Sequence, residues 1–428
     1  MEGVYIKPVA GVRGEIRVPG DKSISHRAAL FGGMAKGETQ ITNFLLGQDC
    51  LSTLRCLQQL GVAWDRQGNE VWLQGQGMGA WQEPTDVLDA GNSGTTFRLM
   101  LGVLAGCPFS VTLSGDASLR SRPMKRVTDP LKQMGAAILG RSGGNLAPIT
   151  MSGGKLQGRA FRTEVASAQV KSALLLAGLR AEGETSVQEP ALSRDHTERM
   201  LKGFGVEVQC AETFVKIQGG GQLSGQKVSV PGDISSAAFF LVLGSLAKRG
   251  EILLPEVGIN PTRTGILDVL RTMGADIQLL ESSELCGEPR ATLRVQPSKL
   301  KGIEISGAMI PRLIDEIPIL ALAASFAEGE TVIRDAAELR VKETDRIRTV
   351  AEGLKALGAQ VEELPDGLRI FGQPSLQGGK ASSFGDHRLA MTWAVAGMLS
   401  KEGVSVENMS AADVSYPEFL EVIRKAAV

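Results

Sequence analysis

Gly20-Asp21-Lys22-Ser23-Ile24-Ser25-His26-Arg27 decides how the rest of this chain is read. The stretch lies between an alternating apolar run (Ile16, Val18) and apolar residues at helical spacing (Ala28, Leu30, Phe31, Met34). That is the pattern of a strand feeding a helix through a tight polar turn. Such a turn leaves backbone N–H groups and a positive dipole end facing outward, where an anion is the natural guest. The same pattern recurs at Gly91 to Gly94, Ala166 to Gln169, Gly232 to Ser235, Leu313 to Glu316 and Gly385 to Arg388, each time before an apolar helix. A glycine and a β-rich run follow most of these helices, as at Gly37-Glu38-Thr39, Gly183-Glu184-Thr185 and Gly329-Glu330-Thr331. A second helix then closes most units on a leucine and a glycine: Leu57 to Gly61, Leu131 to Gly135, Leu201 to Gly205, Leu270 to Gly274, Leu354 to Gly358. The spacing predicts an α/β fold in which a unit of roughly 70 residues is used six times.

Composition sets the outer bounds. The chain has 428 residues, 43% hydrophobic and 22% charged, enough for two domains with separate cores, three units in each. A formal net charge of −1 argues against a general nucleic-acid or membrane-surface binder, so any basic patch is local. The N-terminal Met1-Glu2-Gly3-Val4-Tyr5 carries no basic stretch followed by an apolar core, and no window approaches a membrane span; a cytoplasmic protein is expected. Five scattered cysteines, never spaced C-x-x-C, point to reduced thiols and away from structural zinc. The three histidines (His26, His196, His387) share no ligand spacing, and no metal or other cofactor is expected.

Several turns carry chemistry of their own, each with a plainer alternative. Lys22 and Ser23 occupy a first helical turn, where ammonium and hydroxyl can close around a phosphate or carboxylate; a capping serine beside a solvated lysine is the competing reading. Two glycines among Gly91-Asn92-Ser93-Gly94 let a ligand approach the backbone, and the basic knot Ser118 to Arg126 follows, itself readable as a solvated face. Ser167, Gln169, Ser193 and Arg194 are caps or donors, and local chemistry leaves that open. Gly232 to Ala237 lacks the lysine and reads as a structural copy of the turn, and Pro261 to Gly265 reads as a helix cap. Asp315 and Glu316 are adjacent carboxylates in an apolar setting, suited to a base of raised pKa or to capping. Helical spacing puts Lys342 and Arg346 on one face with Glu343 beside them, a binding cluster or a solvated ion-pair helix. Arg388 enters an apolar helix, a costly position without a partner.

Taken in order, Gly20 to Arg27, Gly91 to Arg98, Ser121 to Arg126, Arg340 to Arg346 and Gly385 to Met391 resemble the 5-enolpyruvylshikimate-3-phosphate synthase family along essentially the whole chain. The resemblance implies a two-domain inverse α/β barrel of six βαβαββ-like units. Residues 1–19 would join 233–428 in a lower domain, 20–232 would form the upper one, and the active site would lie in the cleft between them. It implies enolpyruvyl transfer from phosphoenolpyruvate to the 5-hydroxyl of shikimate 3-phosphate, on the route to chorismate and the aromatic amino acids, by a monomer inhibited by glyphosate. Lys22, Gly94, Arg122, Gln169, Arg346 and Arg388 match the family's phosphoenolpyruvate contacts. Lys22, Ser23, Arg27, Ser167, Ala168, Gln169, Arg194, Asp315 and Lys342 match its shikimate 3-phosphate contacts. Asp315 and Glu343 are the candidates for proton transfer, with Lys22 assisting phosphate departure.

Two departures accompany the resemblance. Val414 stands where many members have a lysine before Ser/Thr-aromatic-Pro, so that phosphate contact is absent or supplied elsewhere. Gly94 is kept where alanine in some members crowds out glyphosate. Among rivals, the UDP-N-acetylglucosamine enolpyruvyl transferases carry a cysteine where this chain has Ala117. A rival of another class is a phosphoryl transferase or a plain phosphate-binding module, suggested by the anion-directed turns; the chain has no G-x-x-x-x-G-K-[ST] loop, which disfavours an ordinary P-loop kinase.

Overall fold

The computed structural model describes residues 3–428; Met1 and Glu2, read above with the N-terminal segment, lie outside the described residues. Packing divides the chain into two units. The terminal unit takes the residues up to Pro19, Pro231–Ser283 and Pro289–Val428; the middle unit takes Gly20–Val230 and Glu284–Glu288. Each has its own apolar core.

The repeat is βαβαββ. In the middle unit, one copy runs through strand Leu88–Asp89, helix Gly94–Leu104, strand Ser110–Ser114, helix Lys125–Gln133 and the strands Ala137–Gly140 and Leu146–Ser152. The first strand pairs parallel with the second, the second antiparallel with the fourth, and the third lies at the far edge. A second copy repeats this order from Ala160–Arg162 onward. The remaining sheet, built on Lys36–Thr42, takes its parallel strand from Lys227–Ser229, far along the chain. The terminal unit closes in a related way. Val12–Glu15 pairs parallel with Gly250–Gly258, and Val4–Ile6 pairs antiparallel with Val404–Glu407 as the third strand of the last sheet.

In both units the opening helices are inside and the sheets outside. Helix Ile234–Leu246 is buried at every position except its last, as an apolar-all-round sequence requires. Strand Leu146–Ser152 alternates buried and open positions, the pattern of a sheet covered on one face. Helices Gly94–Leu104 and Ala168–Gly178 approach backbone to backbone. A Cβ at Gly102 would stand within 3 Å of the Ala173 carbonyl and Cα, so only glycine fits.

The polar turns that open these helices are N-caps. Asp21, Ser93, Ser167, Asp233 and Asp386 each accept a main-chain N–H of the first turn through their side chains. Capping is therefore observed at all five, and any ligand would meet the remaining N–H groups and the side chains beside them. Pro261 to Gly265, read from the sequence as a helix cap, makes no side-chain cap at Thr264; instead buried Arg263 donates from Nη2 to Ser235 Oγ at 2.7 Å and to Asp233 Oδ1 at 3.3 Å. Among the described residues no helix is long and apolar enough to cross a membrane.

Candidate active site

In the middle unit three helix N-termini are tied together by side chains. His26 Nδ1 lies 2.8 Å from Thr53 Oγ1, which lies 2.8 Å from Thr96 Oγ1; Thr96 donates in turn to the cap Ser93 at 2.8 Å. Gln169 donates to Thr95 Oγ1 at 3.0 Å and accepts a short hydrogen bond from Arg98 Nη1. Arg27 donates to Thr197 Oγ1 at 2.7 Å, Ser172 Oγ at 2.9 Å and the Ser23 carbonyl at 3.0 Å. Burial pushes the His26 imidazole down to about 3, the neighbouring Lys22 and Arg27 charges adding to the effect, so it is neutral near pH 7. Burial also lowers the Arg27 guanidinium, to about 10, against the opposing pull of Glu198.

Lys22 begins the first of these helices, and its ammonium lies 2.5 Å from Asp49 Oδ2, both side chains partly open. Arg122 turns back from the basic knot onto Asn92, with Nη2 2.5 Å from Oδ1 and Nη1 3.3 Å from the carbonyl. Gly94 sits beside it: a Cβ there would lie 3.4 Å from both Arg122 Nη1 and Arg98 Nη1. Ser167 caps its helix, Ala168 begins it, and Arg194 lies half-buried one residue after buried Ser193. Thus Lys22, Ser23, Gly94, Arg122, Ser167, Ala168 and Gln169 gather at these helix starts, while Arg27 lies beneath them, 3% exposed.

In the terminal unit the two adjacent carboxylates part company. Glu316 is buried and accepts a short hydrogen bond from Ser235, a structural use. Asp315 stays partly open, with Oδ1 3.5 Å from both Lys342 Nζ and Arg346 Nη1. Arg346 is the hub. It meets Asp386 through Nε at 2.7 Å and Nη2 at 3.1 Å, and Glu343 Oε2 at 2.8 Å. Against the cost of burial, Arg346 holds the Asp386 and Glu343 carboxyls well below the usual carboxylate range, with His387 adding to the effect, so both are anions. Arg388 follows the cap Asp386, and among the described residues its guanidinium forms no hydrogen bond or ion pair.

One detail differs from the sequence reading. Lys342 and Arg346 do not share a helix face, because a 3-10 turn ends at Val341 and the helix begins only at Arg346, capped by Asp345. Arg340 holds that break by binding Asp345 and Glu363, both at 2.9 Å, and Asp315 is what joins the two cations. Val414 ends a 3-10 turn with an apolar side chain, just before Tyr416, which packs on Phe240 and Phe419. Sequence reasoning missed Asp49 and Arg98. Arg98 has a signal, an arginine one turn into an apolar helix behind Gly94; Asp49 has none, since an acid in a first helical turn is ordinary.

The profile of EPSP synthase (3-phosphoshikimate 1-carboxyvinyltransferase) matches residues 6–423. The chain belongs to the EPSP synthase family. It is 68% identical over 426 residues to the 3-phosphoshikimate 1-carboxyvinyltransferase of Desulfitobacterium hafniense, covering 100% of this chain and 98% of the relative. It is 54% identical over 420 residues to that of Bacillus licheniformis, covering 98% of each. EPSP synthase from Acinetobacter baumannii superposes with a TM-score of 0.91 at 42% identity, covering 99% of this chain and 97% of that one. The enolpyruvyl transferase NikO from Streptomyces tendae shares the fold, with a TM-score of 0.78 at 18% identity and 98% and 96% coverage. The six small sheets of the described residues, five of four strands and one of three, are thus the EPSP synthase family's inverse α/β architecture, and the chain is a transferase.

Proposed function

We infer that this chain transfers the enolpyruvyl group of phosphoenolpyruvate to the 5-hydroxyl of shikimate 3-phosphate, releasing phosphate. The observation that carries this reading is the family match across residues 6–423. The reaction is addition then elimination. The 5-hydroxyl oxygen bonds to C2 of phosphoenolpyruvate while C3 takes a proton; then C3 loses a proton as the C2–O bond to phosphate breaks.

The roles divide as follows. Arg122, Arg346, Arg388 and Lys22, together with Gly94 and Gln169, hold phosphoenolpyruvate; guanidinium forks suit its carboxylate and phosphate. Ser23, Ser167, Ala168, Gln169, Arg194, Asp315 and Lys342 hold shikimate 3-phosphate, and Arg27 supports Ser23 through its carbonyl. Asp315 takes the hydroxyl proton. Glu343 serves the methylene carbon: held ionised by Arg346, it becomes easier to protonate once a substrate carboxylate shares that cation. Lys22 neutralises the departing phosphate. Positioned acid–base help of this kind is worth about 100- to 10,000-fold. The protein works as a cytoplasmic monomer, and glyphosate competes with phosphoenolpyruvate.

The test is phosphate release from purified protein given both substrates without nucleotide. Release that needs both supports the reading, and release with neither or with only one refutes it. Lys22→Met and Glu343→Ala are expected to lose most turnover while staying folded, and near-normal kinetics in either would remove the role assigned to it.

A further inference from the structure

Lys171 interrupts the apolar face of helix Ala168–Gly178 with a charge that is only 2% exposed. Its ammonium lies 2.8 Å from Glu189 Oε2, 2.8 Å from Glu198 Oε1 and 3.5 Å from the Ser193 carbonyl, which employs all three of its hydrogens. Both carboxylates are buried as well. Burying such a trio carries a large desolvation cost, and apolar residues of similar volume often serve folding as well or better. The cluster therefore asks for a reason beyond stability.

What it touches supplies one. Glu189 Oε1 accepts the main-chain N–H of Ser167 at 3.0 Å, and the Ser193 hydroxyl lies 2.7 and 2.9 Å from its two oxygens. One carboxylate thus spans the loop that ends in Ser167, Ala168 and Gln169 and the loop that leads into Arg194. A capped N-terminus of an eleven-residue helix and an arginine are anion-directed chemistry. Two carboxylates beneath an anion site would repel its ligand. Lys171 and the buried Arg27 carry two opposing charges, so the four groups sum to zero. The two carboxylates have different duties: Glu198 reaches Lys171 and leaves Oε2 without a hydrogen bond, while Glu189 alone bonds both loops.

We propose that Glu189, held in place by Lys171, is a positioning residue that sets the spacing of Ser167 and Arg194 for the phosphate of shikimate 3-phosphate. This rests on the function proposed above, and the test separates the two. Steady-state kinetics of the wild type come first; failure to turn over shikimate 3-phosphate would remove the functional reading itself. With that established, Glu189→Gln is expected to raise KM for shikimate 3-phosphate at least tenfold, with kcat within about threefold and KM for phosphoenolpyruvate within twofold. Its binding preference for shikimate 3-phosphate over unphosphorylated shikimate falls by the same factor. Glu198→Gln, which removes a charge from the same ammonium without touching either loop, leaves KM within twofold. Should Glu189→Gln not fold, Glu189→Asp, which draws the carboxylate back from both loops while keeping its charge, is read the same way. Unchanged KM and preference in the Glu189 variant, or equal effects of the Glu189 and Glu198 substitutions, would overturn the proposal.

Discussion

Arg346 and Arg388 carry the same charge in opposite settings, and their removal should read differently. Arg346 is buried against Asp386, Glu343 and Asp315. Arg346→Ala leaves those carboxylates without their cation and is expected to cost about 3–5 kcal/mol of stability along with activity. Arg388, half-exposed and without a protein partner among the described residues, is expected to change stability by no more than about 0.5 kcal/mol when replaced by alanine. Its kcat/KM for phosphoenolpyruvate should nevertheless fall by about 2–5 kcal/mol worth of rate, the cost of losing one partner of a desolvated charge pair. Denaturant melts and steady-state kinetics on the two variants check this; equal destabilisation would contradict it. At this scale the motifs single out Arg346, Arg388 and Glu343 as candidates, and only the family resemblance singles out Asp315. Local chemistry alone could not tell Asp315 from Glu316, because which of two adjacent carboxylates is committed to Ser235 depends on a helix some 80 residues earlier in the chain.

Helix starts carry most of what the elements contribute. His26, one turn into helix Lys22–Met34, is held at about 3 by burial, against 6.5 when unburied. The unfolded chain therefore takes up that proton first. Its contribution to stability is full above pH 6.5 and is lost as pH falls from 6.5 towards 3, by about 1.4 kcal/mol per unit. Urea melts of wild type and His26→Asn at pH 7 and pH 4.5 should show the smaller pH dependence in the variant; equal slopes would contradict the account. A methyl on Gly94 reaches the two guanidinium groups of Arg98 and Arg122 at ordinary contact distance. Gly94→Ala is thus expected to keep turnover within about an order of magnitude while weakening glyphosate inhibition at least as much, read as Ki against phosphoenolpyruvate. Deeper in the same helix, Gly102→Ala forces two backbones apart and is expected to cost about 1–3 kcal/mol, measurable as a lowered Tm. The helices and their caps were legible because apolar spacing and Asp or Ser before a helix are local signals. The break between Lys342 and Arg346 was not, since Arg340 imposes it through partners on a separate hairpin.

Across the whole molecule, a formal charge of −1 coexists with cations concentrated at helix starts, which suits small anionic substrates better than a polyanion. The repeat was readable because each copy rewrites the same turn and most copies end on the same leucine-glycine closure. What closes each unit was not written locally. Lys227–Ser229 joins the sheet of Lys36–Thr42, and Glu284–Glu288 groups with the middle unit through Glu288, 2.7 Å from His196. Pairings over such separations leave no period in the sequence, and the N-terminal strand's place was anticipated only through family resemblance. The central claim concerns where one carbon skeleton goes. The most direct measurement supplies phosphoenolpyruvate carrying carbon-13 at C2, with shikimate 3-phosphate, and follows the label by NMR as phosphate is released. The account predicts that the label appears as an enol ether on the 5-oxygen of shikimate 3-phosphate, one equivalent per phosphate. Label that stays in phosphoenolpyruvate, or that appears as pyruvate with shikimate 3-phosphate unchanged, would contradict it.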